Sequence, residues 1–149
     1  FSFGGVSRDL MPHLLSYFCT LKPNYEKARL VKKEVKQNFQ LSDIKSTEYG
    51  MVKPDGIYNV DDYAFLQYTL DDQVWAFETT WKNNHSLNEN SIRIYDKTGI
   101  IQKPLGFCPE IAYQSMIETA LQQINNAAFW EEQNAQDIWI HQQLEQLTI

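Results

Sequence analysis

The stretch from Tyr63 to Trp81 reads YAFLQYTLDDQVWAFETTW, two runs of aromatic and aliphatic residues separated by Asp71-Asp72. Such runs read as strands, and successive strand side chains point to opposite faces. Their pairing register therefore decides what the chain can bury. With a two-residue turn at Asp71-Asp72, Leu70 faces Gln73, Tyr68 faces Trp75 and Leu66 faces Phe77. Ala64, Leu66, Tyr68, Trp75, Phe77 and Trp81 then share one face, while Gln67, Thr69, Glu78, Thr80 and Lys82 share the other. A three-residue turn would mix polar and apolar residues on both faces, so the two-residue register is predicted. Asp-Asp is a weaker turn signal than Asn-Gly. The alternation sends the rings of VWAFETTW into a core and Glu78 to the outer face.

An amphipathic sheet needs cover, and the flanking segments offer helices. Residues 9 to 21 place Leu10, Met11, Leu14, Leu15 and Phe18 at helical spacing, with Pro12 tolerated only in the first turn and Pro23 ending the helix. Asn24 is predicted to cap a second helix running to about Phe39, with Ala28, Val31, Val35 and Phe39 inside and a basic stripe of Arg29, Lys32, Lys33 and Lys36 outside. Residues 42 to 59 carry Gly50, Pro54 and Gly56 and read as a loop, with one short strand around Glu48 to Val52. Residues 83 to 90 read as a polar loop. Ser91 to Tyr95 and Ile100 to Lys103 flank Asp96-Lys97-Thr98-Gly99, a hairpin signal. Pro109 opens a helix whose face carries Tyr113, Ile117, Ala120, Leu121, Ile124 and Ala128. A break at Asn125-Asn126 or Gln133-Asn134 precedes a last helix with Ile138, Ile140, Leu144 and Leu147. The expected fold is α+β: an N-terminal helical pair, an antiparallel meander of four to five strands, and C-terminal helices packed on one face of the sheet. A single domain spanning 1–149 is expected, with residues 1–8 as a flexible lead. No internal repeat is visible.

Charge is unevenly spread. The net charge is −6, yet residues 22–36 carry six cations against Glu26 and Glu34, a local +4 that leaves −10 elsewhere. After Lys103 there is no Lys or Arg, while Glu110, Glu118, Glu131, Glu132, Asp137 and Glu145 follow. The two cysteines, Cys19 and Cys108, are too few for a disulfide scaffold, so reduced thiols and a cytoplasmic setting are expected. Residues 1–7 show no signal-peptide pattern, and earlier removal of one is left open.

Several chemistries lack their residues. His13, His85 and His141 are scattered, and the Asp61-Asp62 and Asp71-Asp72 pairs lack the alternating oxygen ligands of a calcium loop, so turn roles are expected and no metal or cofactor. Glycine patterns for phosphate binding are missing. Glu78 and Lys82 lie four residues apart, roughly 13 Å along a strand, too far for one compact nuclease site with Asp61 or Asp62. Nucleic acid is disfavoured by the net charge despite the basic stripe. Cys108 precedes Pro109 at a predicted helix start, where a thiolate is favoured, so a small cysteine hydrolase or transferase using Cys108 with His85 or His141 stands as the alternative function.

The leading expectation is a non-enzymatic domain that masks or neutralises a protein partner with a basic surface. Inhibitors of basic nuclease toxins, such as toxin-immunity proteins, and acidic secretion chaperones share this profile of small size and acidity. Trp130, Glu131, Glu132, Asp137, Trp139 and Glu145 are the expected contacts, with Asp71 and Asp72 second. Partner identity and oligomeric state are not written in the sequence.

Overall fold

The computed structural model describes residues 5–40, 56–57, 59–81, 91–96, 98–104 and 109–147. Within them the order is α1 (Gly5–Asp9), α2 (Met11–Leu21), a 3-10 turn (Tyr25–Lys27), β1 (Arg29–Lys36), β2 (Tyr63–Leu70), β3 (Gln73–Thr80), β4 (Ser91–Asp96), β5 (Gly99–Pro104), α3 (Pro109–Gln122) and α4 (Ala127–Glu145). The class is α+β with antiparallel sheets. The strands divide into a β1-β2-β3 sheet and a separate β4-β5 hairpin. The chain clusters into two compact units, residues 1–82 with 134–149, and residues 83–133.

In the first unit the central hairpin has the expected register, with Leu70 opposite Gln73, Tyr68 opposite Trp75 and Leu66 opposite Phe77. Asp71 and Asp72 both take positive φ, 50° and 60°, the left-handed pair that a two-residue turn needs to match strand twist. Asn24 Nδ2 donates to Asp71 Oδ2 at 2.7 Å, which anchors the first turn residue. Ala64, Leu66, Tyr68 and Leu70 are buried along one face of β2, and Phe77 and Thr79 continue that face on β3.

Residues 29–36 depart from the sequence reading: they form a strand, not a helix. Their apolar residues fit both periods, and long-range pairing with β2 decides between them. A two-stranded hairpin alone is marginal in water, and β1 supplies the third strand. The pairing runs from Arg29 opposite Thr69 to Lys36 opposite Tyr63, with a bulge between Leu30 and Lys32. Asn24, expected as a helix cap, makes no side-chain cap and instead serves the turn at Asp71. The strand also splits the basic stripe. Arg29, Lys32 and Lys36 share the outer face, whereas Lys33, opposite Leu66, reaches past the core edge and donates to Gln146 O at 2.5 Å. That contact places a cation at the carbonyl end of α4, which has no basic residue in its own last turn.

Helices α1 and α2 and the distal part of α4 cover the inner face. Phe18 sits at the centre, 5.1 Å from the Trp75 ring, 5.5 Å from Phe77, 6.0 Å from Trp139 and 6.2 Å from Tyr68, in tilted, edge-on and stacked pairings that suit aromatic quadrupoles. Tyr68 donates its hydroxyl to Gln143 Oε1 at 3.1 Å, which satisfies a polar atom in the core. Burial pushes the Cys19 thiol up to about 12 and raises the Tyr68 phenol above its ordinary range. Both groups therefore hold their protons more tightly folded than unfolded, so their contribution to stability is fully present below about pH 9 and is lost as pH rises toward 12. The urea midpoint is expected to stay level from about pH 7 to 9 and to decline above it. In Cys19→Ala the decline should begin at higher pH; an unaltered profile would contradict this origin.

The segment entering β2 ties the unit together. Asp61 and Asp62 are buried, and among the described residues no cation pairs with either. Ser7 N and Oγ donate to the Asp61 carboxylate at 2.7 and 2.9 Å, and Val6 N donates to Asp61 O at 2.9 Å, so Asp61 holds the start of α1. Gly5 makes the approach possible: at φ 70°, a Cβ there would lie 2.4 Å from Asp61 Oδ1. The Asp62 carboxylate accepts from Asn38 N, Asn38 Nδ2 and Phe39 N at 2.7, 2.7 and 2.5 Å. Its own backbone donates to Lys36 O and accepts from Trp81 N, joining the ends of β1 and β3.

In the second unit β4 and β5 pair from Ser91 opposite Pro104 to Asp96 opposite Gly99, as the hairpin signal implied. Helix α3 ends at Gln122 and α4 starts at Ala127, so the break falls at Asn125-Asn126. Asn126 Oδ1 accepts from Phe129 N at 3.2 Å as an N-cap. Trp130 Nε1 donates to Gln123 O at 2.8 Å, tying the start of α4 to the end of α3.

Candidate functional site

The sequence singled out a carboxylate-rich C-terminal third, and the structure places its carboxylates on the exposed sides of α3 and α4. Glu110, Glu118, Glu131, Glu132, Asp137 and Glu145 are all exposed. The two tryptophans of α4 differ. They are nine residues apart, two and a half helical turns, and so project from opposite sides of the helix. Trp130 is 43 % exposed, whereas Trp139 is 8 % exposed against Phe18, Tyr25 and Tyr68. Trp139 thus serves the core, and the accessible part of the expected contact set is Trp130 with the acids.

The distal part of α4 forms a shallow, open depression lined by Asp137, Ile138, His141, Gln142 and Glu145. His141 Nε2 lies 3.5 Å from Glu145 Oε1, one turn apart on an exposed surface. Such a pair contributes little to stability. Acid, imidazole and acid repeat here at four-residue spacing along one side of the helix. A second open depression surrounds the β2–β3 turn, lined by Lys27, Arg29 and residues 69–74. Asp71 and Asp72 are exposed there beside two cations, so this corner is mixed in charge rather than acidic.

The outer face of the three-stranded sheet is a second polar surface. Lys36 Nζ pairs with Glu34 at 2.5 Å, and this hydrogen bond holds the Glu34 carboxyl below its usual range. Lys32 and Lys36 also sit 5.2 Å above the rings of Phe65 and Tyr63. Glu78 lies on this face opposite Phe65, as strand parity implied, and is exposed. Burial chiefly, with Glu78 and Glu34 nearby, raises the Tyr63 phenol. Lys32 and Lys36 are thus occupied by Glu34 and by the Phe65 and Tyr63 rings.

Of the groups considered for nucleophilic chemistry, Cys108 and His85 lie outside the described residues, and His141 is the exposed partner of Glu145. Cys19 is buried, and its raised pKa keeps it as an unreactive thiol at neutral pH. Lys82 also lies outside the described residues, while Asp61 and Asp62 face inward to backbone donors. Among the described residues, no three His, Cys, Asp or Glu side chains converge as a metal site would require. No described helix is long and apolar enough to cross a membrane.

Sequence reasoning missed the exposure of α3. The face of Tyr113, Ile117, Ala120, Leu121 and Ile124 was expected to pack inward, and its large side chains are more than half exposed. Periodicity finds an apolar face but does not say what covers it. Comparison of the chain with protein-family models, curated proteins and solved structures returns no match.

Proposed function

We propose that this chain is a non-enzymatic protein-binding domain that masks or neutralises a partner with a basic surface, in the manner of a toxin-immunity or inhibitor protein. The observation that carries this reading is the segregation of charge: beyond Lys103 the chain has six carboxylates and no Lys or Arg, and all six are exposed on α3 and α4. A one-sign surface steers an oppositely charged partner and raises its association rate. Exposed Trp130, fixed by its bond to Gln123 O, adds a rigid aromatic anchor beside Glu131 and Glu132. Glu131, Glu132, Asp137 and Glu145 are the principal contacts of this reading, with Asp71 and Asp72 secondary. A cytoplasmic setting fits the unbridged Cys19.

The test is recovery of a stoichiometric partner by native pull-down and mass spectrometry, followed by titration calorimetry. Replacing Glu131, Glu132 and Asp137 together by Lys is expected to weaken the complex at least about tenfold, about 1.4 kcal/mol. The loss should shrink as salt rises. Unchanged affinity would move the contact elsewhere, and failure to recover any basic partner would remove the reading itself.

A further inference from the structure

The two edges of the three-stranded sheet are built differently. β1 carries Arg29, Lys32, Lys33 and Lys36 and a bulge between Leu30 and Lys32, features that keep an edge strand from pairing with another chain. β3, QVWAFETT, has no Lys, Arg or Pro and a single carboxylate, and it pairs with β2 residue for residue without a bulge. The two-residue turn at Asp71-Asp72 makes Leu70 and Gln73 a hydrogen-bonded pair, and Trp81 N donates to Asp62 O in the same parity. Gln73, Trp75, Phe77 and Thr79 therefore bond to β2, and the backbone groups of Val74, Ala76 and Glu78 point away from it. Among the described residues no backbone group meets them. Such a row of outward N–H and C=O groups is completed by one more strand.

The helix over this edge indicates a second copy as the source of that strand. Phe18 of α2 meets Tyr68 of β2 and Trp75 and Phe77 of β3, so α2 lies over their hairpin. Cys19 turns toward α4, where Asp137 is close enough to bear on its thiol. Helix α4 in turn meets the β1 edge, where Lys33 donates to Gln146 O. Leu10, Tyr17 and Leu21 stand about 160–180° around the helix from Cys19, so this flank, 37 %, 51 % and 56 % exposed, opens over the free edge of β3. Helix α2 has no charged residue, and the charges at the margin are Glu78 and Lys22, the latter 5.4 Å over the Trp75 ring. That side offers little to a charged partner and sets no like charges opposite each other in a symmetric pair. About a two-fold axis at Ala76, Ala76 pairs with its copy and Val74 with the partner's Glu78, which satisfies the outward groups of all three residues. The two Glu78 carboxylates then stand four residues apart along the strands, roughly 13 Å, beyond the screening length of physiological salt. Strands lie about 5 Å apart, so two helices each centred over a β2–β3 hairpin come about 10 Å apart, a helix-packing distance.

We propose that the outer edge of β3 and the overlying flank of α2 form a two-fold dimer interface, in which β3 pairs antiparallel with β3 of a second copy about Ala76 and the two sheets become one. The acidic surface of α3 and α4 takes no part, so this interface and the binding of a basic partner stand or fall separately.

Sedimentation velocity of the full chain is expected to show a concentration-dependent dimer that tightens as salt screens the net charge of −6 on each copy. Ala76→Lys sets two lysines opposite each other at an exposed position and should weaken the dimer at least about tenfold, with the melting temperature of the monomer nearly unchanged. Tyr17→Glu should weaken it from the helix side. Cysteines in a Cys108→Ser background read the register. Ala76→Cys, with α-carbons about 5.5 Å apart across the axis, should form a covalent dimer under mild oxidation. Val74→Cys, roughly 13 Å from its copy, should not. A monomer at every concentration, or a dimer unmoved by Ala76→Lys, overturns the proposal. So does cross-linking of Val74→Cys as fast as that of Ala76→Cys. A large fall in the melting temperature of monomeric Ala76→Lys would show the edge packed within one chain, and that also overturns it.

Discussion

Replacing Trp139 by alanine is expected to lower the unfolding free energy by about 3–5 kcal/mol, because a large buried ring is lost and the cavity collapses only in part. Trp139 touches Phe18, Tyr25 and Tyr68, with ring centroids 6.0, 5.2 and 5.9 Å away. Its removal opens the seam where α4 meets α2 and the sheet. Trp130→Ala, on the same helix, should cost under about 1 kcal/mol, since a surface contact and one hydrogen bond are at stake. Urea denaturation of both variants measures the contrast. Similar losses from the two would contradict the inward orientation of Trp139.

The second large effect belongs to Asp62, which is 0 % exposed. Asp62→Ala removes the acceptor of three hydrogen bonds and is expected to cost about 3 kcal/mol, the scale of losing charge-assisted bonds and leaving donors without partners. Asp62→Asn should recover part of that, keeping one acceptor oxygen while turning an NH₂ toward N–H donors. The midpoint should fall at constant urea slope, because the same surface is exposed on unfolding. A cost of Asp62→Ala below that of Asp62→Asn would show that the carboxylate is not the organising group. A buried carboxylate without a cation is stable only where N–H groups replace its water, which Asn38 and Phe39 provide.

The central hairpin was legible because strand parity is strict. A one-residue slip would have exposed Leu66, Tyr68 and Phe77 together, and no local preference at Asp71-Asp72 could offset that. Helix α2 was legible from Pro12 and Pro23, residues that act on their own backbone. Strand β1 was not. Leu30, Val31 and Val35 satisfy a helical stripe as well as a bulged strand, and the choice belongs to the edge of β2 some thirty residues away. Asp71-Asp72 form the turn expected of them, whereas Asp61 and Asp62, also expected in a turn, serve α1 and the ends of β1 and β3 through long-range contacts.

The candidate surface divides in the same way. Its acidity is chiefly a property of composition, since α3 and α4 carry no Lys or Arg of their own and the fold adds Lys33 only at the carbonyl end of α4. The opposite projection of Trp130 and Trp139 is also written in their spacing, because nine residues make two and a half turns. Which tryptophan turns inward depends on where Phe18, Tyr25 and Tyr68 stand, and those come from three separate segments. On α3 the sequence determined an apolar stripe, whereas the tertiary structure decided that it is exposed. Local periodicity fixes which side chains act together; burial is a relation between segments.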